Sequence, residues 1–259
     1  MTILEEIAAY KRKEVKANKH LNDVRELEKS KYFRRVPLML TDFLLDGSKS
    51  GIIAEYKRKS PSSGIINDKA RVEDVTTGYT YGGASGLSIL TDNKFFGGNN
   101  NDLIKTREIN SLPILRKDFT IDEYQVVEAK SIGADVILLI ASILNIRHAR
   151  ELARLAVSLN MQVLLEIHEE NELDFVSEYV NIVGVNNRNL KDFSVDITTS
   201  LELSEKIPSE FIKISESGIS SPEDIRKLRD HGYNGFLIGE RFMKDDDPAK
   251  SFDNFVKEL

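Results

Sequence analysis

The sequence predicts an α/β fold, a (β/α)8 TIM barrel with an N-terminal helical extension, and three observations carry that prediction. Short apolar, β-rich runs recur about eight times beyond residue 50, each followed by a stretch with helical punctuation, the alternation expected of strand-helix units. Most of these runs end in charged or polar residues, which is where such a barrel collects its chemistry. The first fifty residues instead carry a helical stripe, Ile3, Leu4, Ile7, Ala8 and Val15, then a charged stretch and the apolar segment Leu38–Leu45. Residues 1–48 are therefore expected to form a helical extension packed on the barrel and residues 49–259 the barrel, within a single domain.

The predicted strands are Ile52–Glu55, Leu87–Thr91, Pro113–Arg116, Val136–Ile140, Val163–Ile167, Ile182–Asn186, Phe211–Ser215 and Gly235–Gly239. Apolar runs of four or five residues bounded by Gly, Pro or Asn fit strands covered on both faces. Between them, Asp122 caps a helix carrying Tyr124, Val127 and Ile132 that stops at Gly133. Asn145 precedes Ala149, Leu152, Ala156 and Leu159, a stripe that covers a sheet. Ser221-Pro-Glu-Asp224 supplies an N-cap, a proline at the first helical position and carboxylates for the helix dipole. A doubly wound open sheet is the rival architecture; it usually needs fewer units, and no Gly-x-Gly-x-x-Gly turn follows the first strand. For the N-terminal helix, packing for stability and covering of the active-site mouth are both open on sequence grounds.

Composition narrows the function classes. With 41% hydrophobic and 30% charged residues the chain is an ordinary soluble one, and its net charge of −6 provides no basic field for nucleic acid or an anionic membrane. No apolar stretch reaches the roughly 20 residues of a spanning helix, and the start lacks a signal-peptide pattern. The absence of cysteine excludes disulfides, thiolate metal sites and a cysteine nucleophile. A cytoplasmic location is expected.

In a barrel the residues at the C-terminal strand ends converge. Read in order they include Glu55, Lys57 and Lys59; Asp92, Phe95 and Phe96; Arg116, Lys117, Asp118 and Phe119; Glu166; Asn186 and Arg188; Glu216, Ser217 and Gly218; and Gly239 with Glu240. An acidic chain that gathers Lys57, Lys59, Lys117 and Arg188 on one rim points to an anionic substrate. Gly218 and Gly239 follow strands seven and eight, where backbone N–H groups commonly cradle phosphate; singly each reads as a turn, and paired there they read as a phosphate site. Lys117 and Glu166 each terminate an apolar strand and are the best acid and base candidates. Pro61, Phe96 and Phe119 fit an apolar slot for a flat ring, with core packing as the alternative. Of the four histidines, His168 alone shares this face, and a structural or supporting role suits it better than metal ligation. The Asp245-Asp-Asp247 run before Pro248 reads as a solvated turn.

Several stretches resemble the indole-3-glycerol phosphate synthase family. They are Glu55-Tyr-Lys-Arg-Lys-Ser-Pro-Ser-Ser-Gly64, Leu90-Thr-Asp92 with Phe95-Phe-Gly-Gly98, Leu115-Arg-Lys-Asp-Phe119, Leu165-Glu-Ile-His168, Gly184-Val-Asn-Asn-Arg-Asn-Leu190, Ser215-Glu-Ser-Gly-Ile219 and Leu237-Ile-Gly-Glu240. Seven motifs in register, spanning essentially the whole chain, make the resemblance specific. It implies ring closure of 1-(2-carboxyphenylamino)-1-deoxyribulose 5-phosphate to indole-3-glycerol phosphate with loss of CO2 and water, without cofactor or metal. By the same resemblance Lys117 is the general acid, Glu166 the base of the dehydration, and Lys57 the holder of the substrate carboxylate and a candidate acid in the dehydration. Glu55, Asn186 and Arg188 match residues that hold and polarise the substrate. Ser60, Ser217, Gly218, Gly239 and Glu240 match the phosphate positions, and Pro61, Phe96 and Phe119 the anthranilate pocket. Arg241 departs from the pattern where a small residue is frequent, as does Asn99-Asn-Asn101 after Gly98.

Two competing readings remain. A phosphoribosyl anthranilate isomerase would use a Cys/Asp or Asp/Asp pair, which Glu55-x-Lys57 does not match. A barrel that binds a phosphosugar without chemistry would have no need of Lys57, Lys117 and Glu166 together. The expected partner is a small anionic phosphosugar-anthranilate molecule, with neither nucleic acid nor membrane, and nothing in the sequence marks an interface between subunits.

Overall fold

Eight parallel strands close on one another in the computed structural model, which describes residues 3–189 and 192–259. They are β1 (Ile52–Tyr56), β2 (Gly86–Leu90), β3 (Ile114–Lys117), β4 (Val136–Ile140), β5 (Gln162–Ile167), β6 (Ile182–Asn186), β7 (Ile212–Glu216) and β8 (Gly235–Ile238). Each pairs with its neighbour in sequence, and β1 closes the barrel on β8, with Ile53 opposite both Leu237 and Gly86. The predicted barrel is thus the observed fold. Its inner core of Ile53, Leu115, Leu138, Leu164, Ile214 and Leu237 is separate from the larger apolar layer between strands and helices.

Three helices follow their sequence signals closely. In α6 (Glu123–Ile132) the Asp122 side chain accepts from the Tyr124 N–H, and Gly133 ends the helix at φ 98°. Asn145 caps α7 (Ile146–Ser158), and Ser221 with Asp224 forms a reciprocal capping box on α9 (Pro222–Asp230). The regular alternation fails after β5. There the connection is a six-residue 3-10 helix, Glu170–Phe175, entered through a Glu169–Glu172 capping box. Several strand ends also shift by one residue: Lys117 and Glu216 are the last residues of their strands, each paired in register with a neighbour.

The N-terminal segment grips both ends of the barrel. Helix α1 (Ile3–Leu21) buries Ile7, Ala8, Lys11 and Val15. Helix α3 (Leu40–Leu45) pushes Leu40 and Leu44 into the N-terminal end of the barrel, where a Cβ at Gly86 or Gly235 would lie 2.7 or 2.8 Å from their methyl groups. Asp135, fully buried at the same end, accepts from Arg35 (2.5 Å), Arg107 (2.8 Å) and the backbone N–H of Leu38 (2.7 Å) and Ile114 (2.8 Å). Gln162 adds a side-chain clasp on Thr41. Among the described residues no helix is long and apolar enough to cross a membrane.

Candidate active site

A cavity of about 510 Å³ opens at the C-terminal ends of the strands. Glu55, Lys57, Ser60, Pro61, Phe96, Lys117, Phe119, Glu166, Asn186, Arg188, Ser217, Gly218, Gly239 and Glu240 all line it, so the structure brings every predicted site residue together. Leu190, the last residue of one family motif, lies outside the described residues. Lys59 departs from the sequence reading. Its ammonium turns aside to donate to the Lys94 carbonyl at 2.7 Å, because the chain folds back in a short antiparallel pair, Lys59–Ser60 with Gly64–Ile65. Arg116 points away from the cavity, as strand alternation requires of the neighbour of an inward Lys117, while Asp118, just past the strand end, lines the cavity wall with its carboxylate on Lys11 and Thr91. Arg116 donates there to Glu128 (2.5 Å), Thr91 and the Gln125 carbonyl.

The floor of the cavity is a buried charge cluster. Lys117 Nζ donates to Glu166 Oε2 at 2.9 Å and to Glu216 Oε2 at 2.5 Å. Asn186 Nδ2 donates to the other Glu166 oxygen at 3.0 Å, and its own Oδ1 accepts the Arg188 backbone N–H. Glu55 accepts from Lys57 at 2.9 Å and from Ser88 Oγ at 3.1 Å. Burial works against the charge on Lys117, but Glu166, Glu216 and Glu55 outweigh it and hold the ammonium well above the ordinary lysine range. Burial likewise opposes ionisation of Glu166, yet Lys117, His168 and Asn186 bring its carboxyl down to about 2. Glu216 goes the other way: burial, with repulsion from Glu166 and Glu55, pushes it up to about 7 despite Lys117. Two carboxylates share one ammonium, so the second negative charge is disfavoured.

Close approaches explain the glycines. A Cβ at Gly184 would lie 2.6 Å from Glu216 Oε1, so the bare β6 backbone makes the room that carboxylate occupies. A Cβ at Gly239 would lie 2.8 Å from the Glu55 side chain. Ser217 and Gly218 both adopt left-handed backbone, at φ 66° and 75°, which is costly for the serine and marks a constrained turn at this end of the cavity. Beside it, Glu240 opens the short helix α10 (Glu240–Met243), and its carboxylate meets Lys244 at 2.8 Å, Ser63 Oγ at 3.0 Å and Arg188 at 3.6 Å. At the opposite end the Phe96 and Phe119 rings stand 5.9 Å apart at 39°.

Several lining residues were not singled out from the sequence. Glu216 was recognisable as a strand-end carboxylate, but its contact with Lys117 follows from geometry. Lys244 adds a cation beside Glu240, and Ile3, Leu4 and Ile7 bring the N-terminal helix to the cavity wall. The same helix buries Ile7, Ala8, Lys11 and Val15. His168 sits 3.5 Å from Glu166 and from Glu172, a supporting position; burial lowers its proton affinity, and the two carboxylates more than offset that. In the Asp245-Asp-Asp247 run, Asp247 caps α11 (Pro248–Val256) and Asp245 accepts from Ser251.

Fold and cavity together define a (β/α)8 barrel with a lysine-carboxylate cluster at the C-terminal strand ends. Residues 4–255 match the family model described as indole-3-glycerol phosphate synthase. Proteins of that name from Bacteroides thetaiotaomicron, Polaromonas naphthalenivorans and Bordetella pertussis are 45%, 41% and 39% identical to this chain. The first alignment covers 99% of this chain and 98% of the relative; the others cover 95% of this chain and 95% and 96% of theirs. The chain belongs to the indole-3-glycerol phosphate synthase family, carboxy-lyases of tryptophan biosynthesis. Two solved structures share the barrel at low identity. A Pyrococcus furiosus tryptophan synthase complex matches at TM-score 0.61 and 16% identity, over 82% of this chain and 98% of the other. An N-acetylmannosamine-6-phosphate 2-epimerase from Clostridium perfringens matches at 0.61 and 18%, over 83% and 96%.

Proposed function

We propose that this protein closes the indole ring of 1-(2-carboxyphenylamino)-1-deoxyribulose 5-phosphate, with Lys117 as general acid and Glu166 as base. The observation that carries this reading is Lys117 Nζ between Glu166 and Glu216, on the floor of a cavity with an aromatic end and a glycine-bearing end. In this scheme the phosphate lies at Ser60, Ser217, Gly218, Gly239 and Glu240, which serve largely through backbone N–H groups, with Lys244 nearby. The anthranilate ring lies between Pro61, Phe96 and Phe119. Lys57 and Arg188 meet the carboxylate and the sugar oxygens, while Glu55 and Asn186 orient them.

The chemistry then runs in two stages. The ring carbon bearing the carboxylate attacks the substrate carbonyl carbon as Lys117 protonates the carbonyl oxygen. CO2 leaves, and the electron pair of its C–C bond restores the aromatic ring. In the second stage Glu166 removes a proton while the new hydroxyl, protonated by Lys57, departs as water. Neighbouring carboxylates keep Lys117 charged and loaded in the free enzyme; a substrate oxygen that displaces one of them lowers its proton affinity towards the working range. The surrounding dipoles are already in place, so little reorganisation accompanies the step.

The test is fluorescence detection of the indole product from this substrate, in the presence of chelator. Chelator-insensitive product formation is expected; a folded protein that binds the substrate and yields no indole would overturn the proposal.

A further inference from the structure

Lys11, on α1, is only 2% exposed and lies outside the cavity, between that helix and the tops of β2 and β3. Its ammonium stands 3.0 Å from Asp92 Oδ2, 2.8 Å from Asp118 Oδ1 and 2.5 Å from Glu14 Oε2. Both aspartates are almost fully buried, and each also fixes the backbone of one aromatic wall residue. Asp92 Oδ1 accepts the N–H groups of Phe95 at 2.7 Å and Phe96 at 3.3 Å. Asp118 Oδ1 accepts the N–H of Phe119 at 2.8 Å, while its other oxygen takes Thr91 Oγ1 at 2.5 Å. One ammonium on the N-terminal helix thus ties together the two strand ends that present Phe96 and Phe119.

We propose that Lys11 is a positioning residue for the aromatic end of the cavity: through Asp92 and Asp118 it sets the spacing of Phe96 and Phe119, and with it the affinity for the anthranilate ring. This rests on the reading of that end as the anthranilate slot. Removing the ammonium leaves two buried carboxylates side by side, and such groups reorganise or take up protons rather than stay charged and unpaired. Asp118 keeps Arg116 at 3.4 Å, whereas among the described residues Asp92 has no second cation in ion-pair range. The Phe95–Phe96 turn therefore shifts more than Phe119. Lys117 is held from inside the barrel by Glu166 and Glu216, so the proton donor stays in place.

The experiment compares Lys11→Met with the parent chain in KM and kcat for the ring-bearing substrate, and in the inhibition constant of ribulose 5-phosphate, which lacks the ring. KM is expected to rise at least tenfold, kcat to stay within threefold and the ribulose 5-phosphate constant within twofold, the pattern of lost binding rather than lost chemistry. An unchanged KM, a fall in kcat as large as the rise in KM, or an equal weakening of ribulose 5-phosphate would overturn the inference. Amide exchange gives a readout independent of turnover: the Phe95 and Phe96 amides should exchange at least tenfold faster in the variant, while those of Ile212–Glu216 do not. Unaltered exchange at Phe95 and Phe96 would refute the positioning role even in an active enzyme. A parent chain that makes no indole would instead refute the function and leave the exchange result standing. Should Lys11→Met not fold, Asp92→Asn keeps the amide acceptor, removes the charge that Lys11 pairs with, and must give the same KM-weighted loss; parent-like kinetics there would overturn the proposal.

Discussion

The two ends of the barrel hold their buried charges in opposite ways. At the N-terminal end Asp135 has all its acceptor capacity taken up by Arg35, Arg107 and two backbone N–H groups, and Leu40 and Leu44 fill what space remains. At the C-terminal end Glu166, Glu216 and Glu55 face Lys117 and Lys57 around a cavity of about 510 Å³, and Glu216 Oε1 has no hydrogen-bond partner among the described residues. The first arrangement is complete and can only hold the chain together. The second is unbalanced, with carboxylates whose proton affinities are pushed apart, which is the signature of acid-base work. The same N-terminal segment anchors both ends.

This contrast can be broken or sharpened by substitution. The largest effects belong to the C-terminal end. Glu166→Gln, nearly isosteric, should lower turnover by about 10² to 10⁴-fold while leaving the thermal midpoint close to that of the parent, measured by indole fluorescence and calorimetry. Next comes Asp135→Ala at the sealed end, which strands Arg107 and Arg35. It should cost about 3–5 kcal/mol in denaturant unfolding with turnover per folded molecule nearly unchanged. If Asp135→Ala abolished activity in a stable protein, the division of labour between the ends would fail.

A smaller effect is expected from pH. The Glu216 carboxyl is raised to about 7 in the folded protein from its ordinary value of 4.5, so its contribution to stability is present below about pH 4.5 and lost as pH rises through 7. Relative to Glu216→Gln, the parent should therefore lose on the order of 2 kcal/mol of unfolding free energy between pH 5 and pH 8. Parallel stability profiles would show that Glu216 titrates normally.

The fold was legible because its signals are local. Apolar runs ending in charge mark the strands, and Asp122, Asn145 and Ser221 mark three helix starts that the structure reproduces. The cavity residues were legible for the same reason, since a parallel barrel converts "end of strand" into "lining of one site". What escaped is held by distant contacts. Lys11 lies four residues from both Ile7 and Val15, so its place on the apolar stripe was visible in the sequence, but its partners Asp92 and Asp118 lie more than eighty residues away. Asp135 stands just before a strand, where a polar residue looks like part of a turn. Glu216 and Glu166 look alike as strand-end carboxylates, and only the space left by Gly184 and the shared Lys117 sets them apart.

The central claim, that Lys117 delivers the proton that opens the reaction, is tested most directly by single-turnover indole formation in Lys117→Ala with the substrate saturating. The account predicts a rate at least about 10² to 10⁴-fold below the parent in a protein that is folded and still binds the substrate. A rate near that of the parent would contradict it and move the acid role to another residue of the cavity.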